Sequence, residues 1–251
     1  MGNIDDVRDF VPAEEARVAP RLRAVDDRLF GGGDIVLDPP TIRRAGIASL
    51  NGRDRRTREI DILRTHMLRT LEAEGHRTLA IVSPRAGCGA SFVALNLAVG
   101  LARLGERPVV LIDADLRAPE LTARLRLEST SGLPQALGGF AATREILLPV
   151  RIGAYRLRVA SGGSAVNPAE LLASRGLREV LDEIEDELPG AIVVVDTHPL
   201  LDFDDTLALL PRIDKVLLVL RAGVTSARDV ETAARLVPPD RLAAAVLNRH
   251  R

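Results

Sequence analysis

From residue 57 onward, apolar positions follow two patterns that take turns along the chain. Short unbroken apolar runs, such as 192–195 and 216–220, are separated by stretches in which apolar residues recur every three or four positions. The unbroken runs predict strands at 78–83, 108–113, 156–160, 191–196, 215–221 and 244–247. The spaced stretches predict helices at 57–74, 90–103, 120–126, 168–187, 206–210 and 226–236. In the first of these, Ile60, Leu63, Met67 and Leu71 share one face, and Gly75 ends the run. The fourth opens with Asn167 as N-cap, Pro168 at the first helical position and Glu170 completing a capping box. Strands that are apolar throughout, rather than alternating, are covered on both faces. The fold expected is therefore α/β, a doubly wound and mostly parallel sheet.

Residues 1–56 break this pattern. Pro12, Pro20, the run Gly31-Gly32-Gly33 and Pro39-Pro40 punctuate a charged stretch without periodicity, which predicts an irregular N-terminal arm or linker. Within it, 41–47 can form one short helix ending at Gly46. The domain expected is 57–251.

Composition narrows the class. A net charge of −1 argues against nucleic acid as a partner, and a single cysteine excludes an internal disulfide. The longest apolar runs fall far short of the roughly 20 residues of a membrane helix, and no basic-then-apolar signal segment opens the chain. A cytoplasmic protein is expected. Lys215 is the single lysine; every other basic side chain is arginine.

Open parallel sheets bind ligands beyond the carboxyl ends of their strands. The first predicted strand runs into S-P-R-A-G-C-G-A-S-F, residues 83–92. Gly87, Cys88 and Gly89 suit a loop whose backbone amides enclose phosphate at a helix N-terminus, and Ser91 suits a magnesium-bound hydroxyl. The phosphate-gripping lysine expected just before that serine is Ala90. A lysine about 4 Å from a phosphate oxygen has a gross attraction of roughly 4 kcal/mol at an effective dielectric near 20. Alone, the loop reads equally well as a plain strand-to-helix turn. Asp113 and Asp115 end one predicted strand and Asp196 ends another, and three carboxylates near such a loop suit Mg²⁺ held partly through water. For Asp115, capping of the next helix is an equal reading.

These segments together resemble a known family. V-V-L-I-D-A-D-L-R-A-P-E-L is similar to the second acidic motif of the bacterial tyrosine kinases, P-loop proteins of capsule and exopolysaccharide export. A-I-V-V-V-D-T-H-P-L-L-D-F-D-D-T resembles their Walker B strand and following D-T-P-P, with His198 in place of the first proline. S-G-L-P-Q-A-L-G-G, N-P-A-E-L-L-A-S, V-L-L-V-L-R-A-G-V-T and V-L-N-R follow in family order, so the resemblance covers about 58–249. It implies a fold shared with the MinD/ParA-like cell-division and partition ATPases, and ATP or ADP with Mg²⁺ as cofactor. It also implies a membrane chain-length regulator (co-polymerase) as partner on the cytoplasmic side of the inner membrane, and a homo-oligomer. By position, Ser91, Asp113 and Asp196 would hold the metal, Asp115 would assist the acceptor hydroxyl, Arg117 would belong to the same motif, and Asn248 would lie near the adenine.

Three departures point away from kinase activity. One is Ala90. Another is the tail, which ends R-H-R where the family usually carries a tyrosine cluster; Tyr155 is the single tyrosine. The third is the family's assembly motif, a glutamate followed at intervals of three by two arginines. Here Arg58, Asp61 and Arg64 occupy those places, and they read equally as a solvated helix face. Arg85 stands where partition-type ATPases place a signature lysine; it is the candidate replacement cation, in its own subunit or its neighbour's, or else an ordinary exposed loop arginine. The function expected is a nucleotide-responsive regulator of exopolysaccharide synthesis or export with weak or absent kinase activity. The alternatives are an active tyrosine kinase acting in trans and a MinD/ParA-type positioning ATPase.

Overall fold

A computed structural model describes residues 33–50 and 55–249. Eight strands form one sheet in the order β1-β4-β5-β3-β6-β2-β7-β8. They are β1 (Ile35–Val36), β2 (Thr78–Val82), β3 (Val109–Asp113), β4 (Leu147–Ile152), β5 (Tyr155–Ala160), β6 (Ile192–Asp196), β7 (Lys215–Arg221) and β8 (Leu242–Asn248). All neighbours run parallel except β4 and β5, an antiparallel hairpin. The central strands β2, β3 and β6 are buried at every residue. Their alternate side chains feed two cores, one on each face of the sheet. Leu79, Ile81, Leu111 and Val194 pack with the Ala90–Ala102 helix, while Val82, Ile112, Val193 and Val195 pack with the Arg175–Glu187 helix. That is the doubly wound arrangement expected of unbroken apolar strands.

The helices are α1 (Pro39–Ala45), α2 (Arg55–Ala73), α3 (Ala90–Ala102), α4 (Leu121–Arg124), α5 (Leu133–Leu137), α6 (Thr143–Ile146), α7 (Pro168–Ala173), α8 (Arg175–Glu187), α9 (Asp205–Leu209) and α10 (Ala227–Leu236). The single helix expected over 168–187 is two. Ser174 is extended, and its hydroxyl caps the second helix by accepting from Gly176 N at 3.2 Å. Close packing demands the break. A β-carbon at Gly176 would lie 2.1 Å from the Leu137 carbonyl oxygen, so the chain must re-aim to bring a bare glycine there. The expected capping box is not formed, since the Asn167 side chain makes no cap bond.

Part of the segment expected to be irregular is ordered. β1 pairs with β4, and α1 is capped by Asp38, whose carboxylate accepts from Thr41 N at 2.8 Å. Asn96, fully buried on α3, pins this segment to the domain. Its Oδ1 accepts from Ala48 N (2.7 Å), Ser49 N (3.1 Å) and Ser49 Oγ (3.2 Å), and its Nδ2 donates to Gly46 O at 3.1 Å. The two-residue strand is too short to show a period, whereas α1 is the short helix expected near 41–47, ending at Gly46 as expected. They form because buried partners elsewhere accept them. The rest of the expected arm, 1–32 and 51–54, lies outside the described residues.

Candidate functional site

The site lies at the carboxyl rim, where β2, β3 and β6 run side by side and deliver their loops together. β2 ends at Val82, and the chain turns through residues 83–89 into α3. Gly87 and Gly89 adopt φ values of +76° and +92°, which side chains strain to reach, and Gly89 is the N-cap of α3. A β-carbon at Gly89 would also meet Asn248 Nδ2 at 2.3 Å. The N-terminal turn of α3 therefore presents unpaired amides and the positive end of its dipole to the rim. Ala90 is buried there, and Cys88 is a buried filler with Sγ 3.5 Å from Thr225 Oγ1.

Asp113 and Asp196 are paired residues on adjacent strands β3 and β6, both buried. Asp113 Oδ2 accepts from Leu121 N at 3.1 Å and Thr122 N at 3.4 Å, so it caps α4. The Ser91 hydroxyl lies close enough to the Asp196 carboxylate to favour its charged form. The other oxygen of each aspartate, Oδ1, is buried without a partner. Burial pushes the Asp113 carboxyl up to about 7, with the nearby charge of Asp115 adding to the rise and the Thr122 and Leu121 amides opposing it. Burial raises Asp196 well above the usual carboxylate range; Asp113 and Asp115 add to this, while Ser91 and Arg124 oppose it.

Two adjacent buried carboxylates with orphaned oxygens lack a counter-charge, and a hard cation would supply one. Ser91, Asp113 and Asp196 fit Mg²⁺, which takes a few protein oxygens and fills its octahedron with phosphate and water. Such an ion would polarise and neutralise phosphoryl oxygens. Among the described residues no group of three or more His, Cys, Asp or Glu could hold a metal by itself.

A cavity of about 400 Å³ opens over the loop, lined by residues of the phosphate loop and by Asp115, Glu120, Arg124, Thr197 and His198. A larger cleft, about 580 Å³, lies at the opposite rim. Two of its charged groups are engaged by the protein itself: Asp214 accepts from Arg77 N, Thr78 N and Thr78 Oγ1 at 2.8–3.0 Å, and Arg241 Nη1 donates to the Ile213 carbonyl at 2.6 Å. The smaller cavity has the chemistry.

Comparison with known proteins agrees with this geometry. No family model matches the chain. It is 35% identical over 156 residues to tyrosine-protein kinase YwqD of Bacillus subtilis, covering 59% of this chain and 61% of that one. It is 26% identical over 185 residues to tyrosine-protein kinase ptk of Acinetobacter johnsonii, covering 74% of this chain and 25% of that one. The BceF tyrosine kinase domain has the same fold, with a TM-score of 0.70 at 24% identity over 95% of this chain and 97% of that domain. The VpsO kinase domain follows, with a TM-score of 0.66 at 28% identity over 76% and 94%. The chain is thus similar in sequence and fold to the P-loop kinase domains of bacterial tyrosine kinases. It spans about a quarter of the length of the Acinetobacter relative. A more distant fold neighbour is the septum site-determining protein MinD of Pyrococcus horikoshii, complexed with Mg-ADP, with a TM-score of 0.56 at 21% identity over 69% of this chain and 70% of that one.

In the structure, the residues singled out by sequence separate into two groups. Gly87, Cys88, Gly89, Ala90, Ser91 and Asp115 line the cavity, and Asp113 and Asp196 lie beside it at the strand ends. Arg85, Arg117 and Asn248 turn elsewhere. The Arg85 guanidinium is held by Asp202 at 2.9 Å and Asp229 at 3.3 Å. Arg117 binds Asp205 through two bonds (2.5 and 3.0 Å) and lies 3.7 Å over the Phe203 ring. Asn248 Nδ2 donates to the Cys88 carbonyl at 2.9 Å, bracing the loop from behind.

His198, which sequence alone gave no definite role, has a definite partner: its Nδ1 lies 2.9 Å from Asp115 Oδ1. That same oxygen accepts from Arg117 N and Ala118 N at 3.2 and 2.9 Å, so Asp115 shapes its own loop; the next helix, α4, is capped by Asp113 and not, as the capping reading had it, by Asp115. Arg124 was not foreseen, and Arg221 was expected only as a strand-end residue at the ligand rim. Arg221 Nη1 donates to the Gly87 carbonyl at 2.8 Å. The position of each just past an apolar run or inside a short helix was readable, but its direction was not.

Proposed function

We propose that this chain is a nucleotide-responsive regulator in exopolysaccharide synthesis or export. It binds ATP or ADP with Mg²⁺ at the β2–α3 loop and transfers phosphoryl groups weakly or not at all. The observation that carries this reading is the buried pair Asp113 and Asp196, each with an orphaned oxygen, beside a phosphate loop that has Ala90 where the lysine belongs. Metal and anion sites are retained, and the cation that steadies the transferring phosphate is lost. The degenerate loop thus separates binding from turnover.

Ser91, Asp113 and Asp196 hold the metal in this reading, and the amides of residues 87–91 hold phosphate. Asp115, already paired with His198 and two backbone amides, is poorly free to assist an acceptor hydroxyl. The protein acts on the cytoplasmic face, through a membrane co-polymerase of the same system. Among the described residues no helix is long and apolar enough to cross a membrane, so attachment there requires a partner or a segment outside them.

Calorimetry of Mg-ADP and Mg-ATP, paired with phosphotyrosine detection on a tyrosine-containing substrate, tests the reading. Binding without detectable phosphotyrosine is expected from the native chain. Phosphotyrosine formed by the native chain and abolished by Asp113→Ala would instead establish an active kinase. Binding seen only after Ala90→Lys would mark a lapsed site.

A further inference from the structure

The cavity over the phosphate loop has an uneven charge distribution. Asp115 and Glu120 bring negative charge to its wall, and at Ala90 there is only a buried methyl group. Among the described lining residues, the one guanidinium is that of Arg124. It comes from the last residue of α4, a helix to which sequence reading assigned no chemistry.

The position of α4 is fixed by the site itself. Asp113 Oδ2 accepts from the first two amides of the helix, Leu121 N and Thr122 N. Thr122 Oγ1 in turn accepts from Gly162 N at 2.8 Å, tying α4 to the end of β5. The carboxylate beside the metal position and the helix carrying Arg124 are therefore one rigid unit. The charge of Arg124 also reaches the acidic pair, where it opposes the rise of the Asp196 carboxyl.

In the structure the guanidinium pairs with Glu120, four residues earlier, and both side chains are substantially exposed. Exposed pairs of this kind contribute little, so the partner is easily exchanged. A polyphosphate carries more charge than one carboxylate and offers oxygens that match the planar fork of a guanidinium. The other arginines near the loop are differently committed. Arg85 is held between Asp202 and Asp229, and Arg221 binds the Gly87 carbonyl; neither lines the cavity.

We propose that Arg124 is the phosphate-binding cation of this site, acting within its own chain in place of the side chain that Ala90 lacks, and that it exchanges Glu120 for the nucleotide's terminal phosphates. This rests on the reading that the loop binds a nucleoside polyphosphate. It differs from a simple loss of function, because the positive charge has moved from the loop to the neighbouring strand's helix.

A double-mutant cycle tests it, with Mg-ADP and Mg-ATP affinities measured by calorimetry on the native chain, Arg124→Ala, Ala90→Lys and the double variant. Arg124→Ala is expected to weaken binding roughly ten- to a hundredfold, the span of a lost hydrogen bond to a charged group. Arg124→Lys should recover part of that loss. Glu120→Gln, which frees the guanidinium, should tighten binding. With lysine at position 90, Arg124→Ala should cost distinctly less than in the native background. Thermal midpoints without nucleotide identify any variant that has failed to fold, and Glu120→Gln supplies a gain that misfolding cannot imitate. Equal affinity of the native chain and Arg124→Ala overturns the role of Arg124 while leaving nucleotide binding intact. Binding absent from the native chain and present in Ala90→Lys overturns both readings.

Discussion

At the scale of single residues, the site is a balance of charges that its own burial makes costly. Asp113 shows the consequence. Its unfolded-state carboxyl releases a proton near 3.8, while the folded one holds it up to about 7. Folding without Mg²⁺ therefore takes up a proton across that window, and stability falls as pH rises through it, by up to about 1.4 kcal/mol per pH unit for one such group. Asp196, raised by the same burial, acts in the same direction. Calorimetric midpoints measured without divalent metal should decline from about pH 5 to pH 7. Asp113→Asn should flatten the slope, and an unchanged slope would show that the carboxyl is already ionised. Arg85 allows a second prediction. Its guanidinium is committed to Asp202 and Asp229, so Arg85→Ala should leave Mg-ADP affinity of the isolated chain within about twofold, as expected for loss of exposed pairs outside the cavity. A tenfold loss by calorimetry would return Arg85 to the phosphate site.

At the scale of elements, what was legible in the sequence follows from what determines each element. The buried parallel strands carry their own signal, because β2, β3 and β6 are apolar at nearly every position and end in polar residues at the rim. Asp113 and Asp196 could be placed at strand ends for that reason. β1, β4 and the break at Ser174 were not found, since each depends on a distant partner: β1 on β4, β4 on its hairpin with β5, Ser174 on the close approach of Gly176 to Leu137. The direction of a long side chain is equally invisible to periodicity, and so Arg117 and Arg85 were placed in the site while Arg124 was missed. Asn96 is the clearest case of distant determination. It reads as one more residue of an apolar helix, yet it holds residues 46–49 through four hydrogen bonds. Asn96→Ala leaves the Ala48 and Ser49 donors buried without an acceptor, at about 1–3 kcal/mol each where water cannot replace it. Urea unfolding should show a loss of about 3 kcal/mol or more, with hydrogen exchange accelerated first in residues 33–50.

At the scale of the whole molecule, the strand order determines how ligand binding is felt. β6 and β2 are adjacent at the centre, with β3 on one side and β7 on the other, so the loops around the cavity come from strands that are far apart in sequence. Phosphate and metal would join the β2 loop, the β3 carboxylate and the β6 carboxylate at once, and would offset the like-charge repulsion between Asp113 and Asp196. Unfolding destroys that site entirely, so nucleotide binding must raise the unfolding temperature by mass action. At a free Mg-ADP concentration a hundred times the dissociation constant, the added stability is about 2.7 kcal/mol. For a domain of this size that is a rise of about 5–10 °C. The rise should depend on Mg²⁺ and should be lost in Asp196→Asn, which keeps the shape of the carboxylate and removes its charge. Ala90→Lys should increase the rise at fixed nucleotide concentration by restoring a cation to the loop. A rise that is the same with EDTA as with Mg²⁺ would detach nucleotide binding from the acidic pair, and with it the link between the two halves of the site that the register of β3 and β6 creates.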